Sequence, residues 1–506
     1  MAGNAVFVMD GGILRRYRGE GGRVVIPSAV KVIGDGAFFG YGGSITALEF
    51  PDGLRWIGDN AFFTGFMHAG VEALRLPPGL KGIGRGAFQG NYTLKSVWMP
   101  KGLRVIGQEA FSQCDGLEHV RLPEGLEEID SSAFCFCRNL SRVKFPESLR
   151  KIGVGAFSNC GRLQEIHLPR NLREIEANAF AHCINVKRFT VDEENPAFRG
   201  DGCFLLTGDG HRLLCAPGAE GRAVIPEGVT EIEDWAFTGN RGITEIVFPD
   251  TLEGIGSRAF EDCRNLTALT FPASLKRIGA WAFSSCEKLA RVAFPEKLEQ
   301  IDECAFVNCP LENVFLPRGV RSLGRMALSF RKMEHFSVDP DNPALRMIDG
   351  LMIADGGERL VAAQRDVQNA VIPEGVKIID ENAFYENPFQ GEHRLTRVVF
   401  PKSLERIGRS AFDSCEALTE LSFPENLKTI KSFAFVGCKN LARLTFFGTP
   451  EKIDGSFFQS GVKEVSTPPG NRKFWHESFE NWGDIQWGRS RVPSPSTEEH
   501  IKSADA

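Results

Sequence analysis

GLEHVRLPEGLEEIDSSAFCFC (116–137), NLSRVKFPESLRKIGVGAFSNC (139–160) and RLQEIHLPRNLREIEANAFAHC (162–183) are three copies of one sentence. Each places an apolar-Pro step, a Leu/Ile pair, an Ala-Phe and a Cys at the same offsets. Self-similarity at this spacing marks a solenoid, in which every unit buries its apolar face against its neighbours. Moving outward, the Pro steps run from Pro27 to Pro424, with a dominant interval of 23 residues. The repeat Phe runs from Phe38 to Phe457 and gives sixteen turns, the last degenerate. Two gaps break the rhythm with similar text, VDEENPAFRGDGCFLL from Val191 and VDPDNPALRMIDGLMI from Val338.

That rhythm divides the chain. A hairpin-like N-terminal cap is expected over 1–30, repeat blocks over 31–190, 226–337 and 373–465, and inserts over 191–225 and 338–372. An aromatic C-terminal cap follows at 466–488, where Phe474, Phe479 and Trp482 are spaced for one helical face, then a disordered Pro/Ser-rich tail at 489–506. A partner-binding peptide is the alternative reading of the aromatic segment.

Within a turn, Val120 and Leu122 alternate with His119 and Arg121, the period of a strand with one buried face. Pro123 ends that strand because it cannot donate to a ladder. Leu126 and Ile129 form a second apolar pair, and Ser-Ser-Ala-Phe reads as a short helical turn that drops Phe134 into the core. The fold class is therefore a β-rich solenoid of about 16 turns, with short strands, short helical turns and two β-hairpin-like inserts. The 40 Phe against 4 Tyr fit this, since a dry core has no partner for a hydroxyl.

A slot three residues after the repeat Phe holds Cys114, Cys137, Cys160, Cys183, Cys263, Cys286, Cys309, Cys415 and Cys438, and in other turns Asn91, Asn240 or Asn387. A position that accepts Cys or Asn points inward and hydrogen-bonds a neighbouring backbone, so a structural ladder is expected. Cys135 and Cys137 are too close and too isolated for a metal site. The odd total of 13 Cys, with ladder thiols pointing in parallel, argues against a disulfide framework and suits a reducing setting.

These residues resemble the BspA-type leucine-rich repeat, the treponemal-style 23-residue class, with its Ile-Gly step at Ile33-Gly34, Ile57-Gly58, Ile106-Gly107, Ile152-Gly153, Ile255-Gly256, Ile278-Gly279 and Ile407-Gly408. The likeness covers Ile13 to about Val465. It implies a curved leucine-rich array that binds proteins or cell-surface ligands, and a bacterial source; members include surface adhesins of host-associated microbes.

Strand residues flanking the buried ones should face outward from the concave side. The most distinctive group is Trp98 beside His119, Arg121, Arg142, Lys144 and His167, an exposed Trp bordered by cations and so the composition of a binding hot spot. An acidic or phosphorylated partner suits those charges, and an ordinary solvated face is the competing reading. The acidic runs at Asp192–Asn195 and at Asp339, Asp341 and Asn342 are read as turns rather than calcium loops.

A net charge of −6 predicts no affinity for nucleic acid, and no stretch approaches the ~20 apolar residues of a membrane span. Phosphate-loop, HExxH and GxSxG motifs are missing, so no catalytic residue, cofactor or metal is expected. The segment Met1–Asp10 has no basic start and no apolar run, which reads as cytoplasmic; a secreted or surface protein is the alternative. The expected function is non-enzymatic binding of another macromolecule, most simply a protein, on the strand face. Rival readings are an adhesin for host protein or glycan, an accessory module of an enzyme, and a structural spacer.

Overall fold

The computed structural model describes residues 6–39, 44–64, 70–328, 335–384, 394–478 and 485–489. Two units divide the chain, Met1–Leu289 and Ala290–Ala506. Both are β-solenoids, and the chain winds about 19 turns in all. The excess over sixteen comes from circuits without the Pro–Phe signature, whose strands are Arg188–Val191, His335–Val338 and Glu464–Thr467.

In unit 1 each turn carries two strands. The first is the one with period-2 alternation: Ala73–Arg75, Ser96–Trp98, His119–Arg121 and Arg142–Val143 form one parallel sheet. The second is only two residues long, and it builds the longer ladder. Nine strands run as one sheet from Phe7–Asp10 to Glu174–Ile175, with Ile106, Ile129, Ile152 and Ile175 in register. A two-residue strand is stable here because its Ile is wholly buried at Ile106, Ile129 and Ile152 and the inter-turn bonds repeat.

The third side corrects the expected helical turn. It is a run of tight turns with left-handed residues at fixed places: Ser132, Gly155 and Asn178 before the Ala, at φ 55°, 61° and 50°, and Phe136, Asn159 and His182 after the Phe, at 60°, 62° and 58°. This backbone sends alternate N–H groups in different directions. Ser132, Phe134 and Phe136 donate to Val154, Ala156 and Ser158 O of the next turn, all at 2.8 Å. Ala133, Cys135 and Cys137 donate three residues back within their own turn, at 3.2, 3.0 and 3.3 Å. A left-handed non-glycine residue costs roughly 1–2 kcal/mol, which the extra inter-turn bonds, at about 0.5–1.5 kcal/mol each, offset. The cost is local and the gain is made between turns, so the third side forms only when turns stack.

Under this side lies the aromatic core. Phe62, Phe88, Phe111, Phe134 and Phe157 stack with centroids 5.2, 5.2, 5.5 and 5.3 Å apart and planes within 11°. Unit 2 repeats the arrangement with Phe384, Phe412, Phe435 and Phe457 at 4.7, 5.0 and 5.0 Å.

Each insert restarts the second ladder. In unit 1, Phe198–Asp201, Phe204–Thr207 and Arg212–Cys215 form an antiparallel meander whose last strand pairs in parallel with Glu231–Ile232. In unit 2, Arg346–Ile348, Leu351–Ala354 and Arg359–Ala363 do the same against Ile378–Ile379. A buried Asn pins each one. Asn195 Nδ2 donates to Pro169 and Leu172 O (2.7 and 3.1 Å) while its Oδ1 accepts from Ala197 and Phe198 N–H. Asn342 makes the matching four bonds. The acidic neighbours serve the same turns: Asp192 and Asp339 accept from the N–H of Glu194 and Asp341.

At the C-terminal end a short helix, Arg472–Ser478, buries Trp475 with its ring 4.8 Å from Phe446, and Gln486–Arg489 adds a parallel strand to Glu464–Thr467. The expected cap residues Phe479 and Trp482, and the tail from 490, lie outside the described residues.

Candidate strand-face binding site

Pairing of the first strands in unit 1 sets out two outward columns. Arg75, Trp98 and Arg121 are directly in register, as are Ala73, Ser96, His119 and Arg142. Lys144 follows Val143 on the edge strand. All five sequence-selected side chains from Trp98 to Lys144 are therefore on one face. His167 lies on the next pair of strands, where its Nδ1 is 3.0 Å from Thr190 Oγ1. Trp98 is 38% exposed, a large apolar surface left to solvent, and the Arg75 guanidinium sits 5.8 Å from its ring centre. That cation–π contact contributes about 0.5–1 kcal/mol at an exposed site. Arg75 is legible in the sequence as an outward strand position, but not as part of the Trp98 group; its place directly beside Trp98 emerges only with the register.

Several cations on this face are unmatched. Elsewhere on the first strands some cations hold an acid, Arg222 with Glu245 (3.1 Å) in unit 1 and Arg443 with Glu420 (2.7 Å) in unit 2, whereas the single cations Arg188, Arg291 and Arg397 make no ion pair among the described residues. On the flanking turns Lys95 holds Glu72 at 2.8 Å, and Arg138 holds Asp115 at 3.1 Å. The hydrogen bond to Glu72, and the charges of Glu72 and Glu118, push the Lys95 ammonium up. Arg75, Arg121, Arg142 and Lys144 make no ion pair among the described residues. The other strand positions named by the repeat differ in kind: in unit 2, Phe315 is 48% exposed.

The Cys/Asn slot faces inward wherever it is described; Asn387 lies outside the described residues. Cys114, Cys137, Cys160 and Cys183 Sγ–H donate to Phe88, Phe111, Phe134 and Phe157 O at 3.1–3.2 Å. Cys263 and Cys286 reach Phe237 and Phe260 O at 3.3 Å. In unit 2, Cys415 and Cys438 reach Phe384 and Phe412 O at 3.1 Å, and Cys309 is buried. Asn91 Nδ2 reaches Phe62 and Phe88 O at 2.9 and 2.7 Å; Asn240 Nδ2 reaches Pro217 and Ala219 O at 3.0 and 2.9 Å. Burial pushes the Cys114 and Cys183 thiols up to about 12. All 13 cysteines are free. The thiolate is the reactive form, so these groups act as small buried donors. Among the described residues no group of three or more His, Cys, Asp or Glu could hold a metal ion, and no helix is long and apolar enough to cross a membrane.

Parallel strands, one Pro-ended and one ending in Ile, closed by a Phe-bearing turn, define a leucine-rich repeat protein. More narrowly, the chain belongs to the BspA type leucine rich repeat region family, whose profile matches residues 22–114, 63–187, 222–334 and 385–487. No curated protein matches the chain. Among solved structures, a leucine rich cell surface protein from Faecalibacterium prausnitzii A2-165 is 22% identical, with a TM-score of 0.52, covering 67% of this chain and 96% of its own. A leucine-rich repeat protein from Bacteroides ovatus is 22% identical, with a TM-score of 0.32 and coverage of 82% and 91%. The pneumococcal vaccine antigen PcpA is 16% identical, with a TM-score of 0.33 and coverage of 92% and 79%. The first of these likenesses bears on fold.

Proposed function

We propose that this protein is a non-enzymatic binding protein that grips an acidic protein surface on the first-strand face around Trp98. The observation that carries the reading is the gathering of four unmatched cations, Arg75, Arg121, Arg142 and Lys144, on four adjacent paired strands around an exposed indole. His119 and His167 extend the same face. Surface ion pairs contribute little to folding, so leaving these cations unmatched costs little stability and frees them for a partner. Because the strands are already ordered by their ladders, binding loses little conformational entropy. Arg offers two-pronged bonds to carboxylate or phosphate, and Trp supplies a desolvated anchor.

Reversing Arg121 and Arg142 to Glu together should weaken partner capture from native-source extract at least about a hundredfold, the scale of like-charge juxtaposition, with thermal stability unchanged. Capture that survives the reversal would make the column a solvated face.

A surface adhesin is the second reading, favoured by the description of the F. prausnitzii protein as a cell surface protein. The free thiols are compatible with either compartment, since the ladder thiols are buried and only Cys135 and Cys203 are partly accessible. Fractionation of source cells separates the two locations.

A further inference from the structure

The second ladder of the first block stops at Glu174–Ile175, and the stop leaves backbone groups open. In the turn before, Arg150 O accepts from Arg173 and Glu174 N–H (2.9 and 3.2 Å), and Ile152 O accepts from Glu176 N–H (2.9 Å). On the third side Gly155 and Phe157 N–H donate to Ala177 and Ala179 O (3.1 and 2.8 Å). The corresponding groups one turn later are Arg173 O, Ile175 O, Asn178 N–H and Phe180 N–H, and among the described residues they have no protein partner. Ile175 is half-buried where Ile106, Ile129 and Ile152 are wholly buried. Between this edge and the hairpin lies a cleft of about 360 Å³, closed on its far wall by Leu214, Cys215 and Trp235.

Elsewhere the chain closes such an edge. Before the second hairpin, in unit 2, the last strand is Ser322–Leu323, and Arg359 donates to Leu323 O at 2.6 Å. Arg359 is held there by Asp380 and Asp355, both at 2.6 Å. Arg212 occupies the matching hairpin position in unit 1, pairing with Glu231 as Arg359 pairs with Ile378. Its guanidinium instead turns to Glu233 and stays exposed, leaving Ile175 O uncapped. The cleft carries four carboxylates, Glu174, Glu176, Glu233 and Asp234, beside Arg173 and Arg212. Glu174 and Glu176 pair with Lys151 (3.7 and 2.8 Å), Glu233 pairs with Arg212, and Asp234 accepts from Ser257 N–H, so four acids face three cations.

We propose that this edge is a docking groove for an extended peptide segment bearing basic side chains, which adds a strand to Glu174–Ile175. Open C=O and N–H groups recognise the peptide backbone, as in strand addition to a sheet edge. The one carboxylate in excess over the neighbouring cations favours Lys or Arg over acidic side chains, and the Trp235 ring forms one wall. The groove is separate from the strand face around Trp98, and the two sites select opposite charges.

The test uses the full chain and a fluorescein-labelled Lys-Val-Lys-Val-Lys-Val amide, read by anisotropy. Binding is expected to fall about tenfold or more for a version N-methylated at alternate amides, which cannot pair with an edge, and for a Glu-Val version. Leu214→Trp, which fills the cleft without altering the edge, should weaken binding equally. The proposal is overturned by absence of binding at saturating peptide, or by equal binding of the N-methylated version to the native protein. It is also overturned by a concentration-dependent dimer that Leu214→Trp abolishes, which would assign the edge to a second copy of the chain.

Discussion

Phe134→Ala is expected to destabilise unit 1 by about 3–5 kcal/mol, the range for removing a fully buried aromatic ring. Phe134 has no exposed surface. Its ring stacks on Phe111 at 5.5 Å and on Phe157 at 5.3 Å. A turn on the third side cannot collapse into the void, because its own backbone is tied to both neighbours: Phe111 N–H donates to Ala133 O and Phe134 N–H to Ala156 O. The cavity therefore persists, which places the cost toward the upper end. Urea denaturation of the full chain measures it. Phe315→Ala, at an exposed strand position of unit 2, serves as the control and should fall within about 0.5 kcal/mol of the parent. Equal effects at the two sites would mean that the column does not hold the array.

Arg359→Ala in unit 2 should cost about 3–5 kcal/mol, because it leaves a buried carboxylate without its counter-charge. Arg359 and Asp380 are both buried and 2.6 Å apart. Burial pushes the Asp380 carboxyl up to about 6 even with Arg359 in contact, and removing the guanidinium pushes it further in the same direction. The sign follows. Folded protein then holds a proton that the unfolded chain, with Asp near 4, has released. Stability is lost as pH rises through the interval between those two values and is not recovered above it. The variant's deficit should be greatest at pH 7–8 and shrink toward pH 5. A double replacement, Arg359→Met with Asp380→Leu, should recover most of the loss, since apolar groups can replace a buried pair. Thermal melts across pH 5–8 provide the measurement; a deficit independent of pH would contradict this role for Asp380.

The parts legible in the sequence are those whose chemistry repeats at a fixed offset. Phe134 and Cys160 recur identically, and the first strand betrays itself through the alternation of His119, Val120, Arg121 and Leu122. The second strand is two residues long, too short for any period to show, so Glu128–Ile129 reads only as part of an apolar pair. The left-handed position is filled by Ser132, Gly155, Asn178, Trp235 and Arg258 in different turns. Its conformation is imposed by the neighbouring turn rather than by residue type, and propensity is silent there. The open edge has the same cause. Arg173 to His182 carry the ordinary repeat, and what differs is the following turn, which the hairpin displaces. The same holds for Arg212 and Arg359, one residue type at matching hairpin positions with different partners. Trp98 and its cations were readable as an outward group, whereas the lack of matching acids was not, because pairing runs across turns about 23 residues apart.

The claim on which the rest depends is that neighbouring turns hold one another through the third-side ladder, and that this ladder ends at the last turn of the first block. Residue-resolved amide hydrogen exchange of the intact chain tests it most directly. Ser132 and Gly155 N–H, which donate to Val154 and Ala177 O, should exchange slowly. Asn178 N–H, at the same position one turn further on, should exchange orders of magnitude faster. Equal protection at all three, or rapid exchange at Ser132, would contradict it.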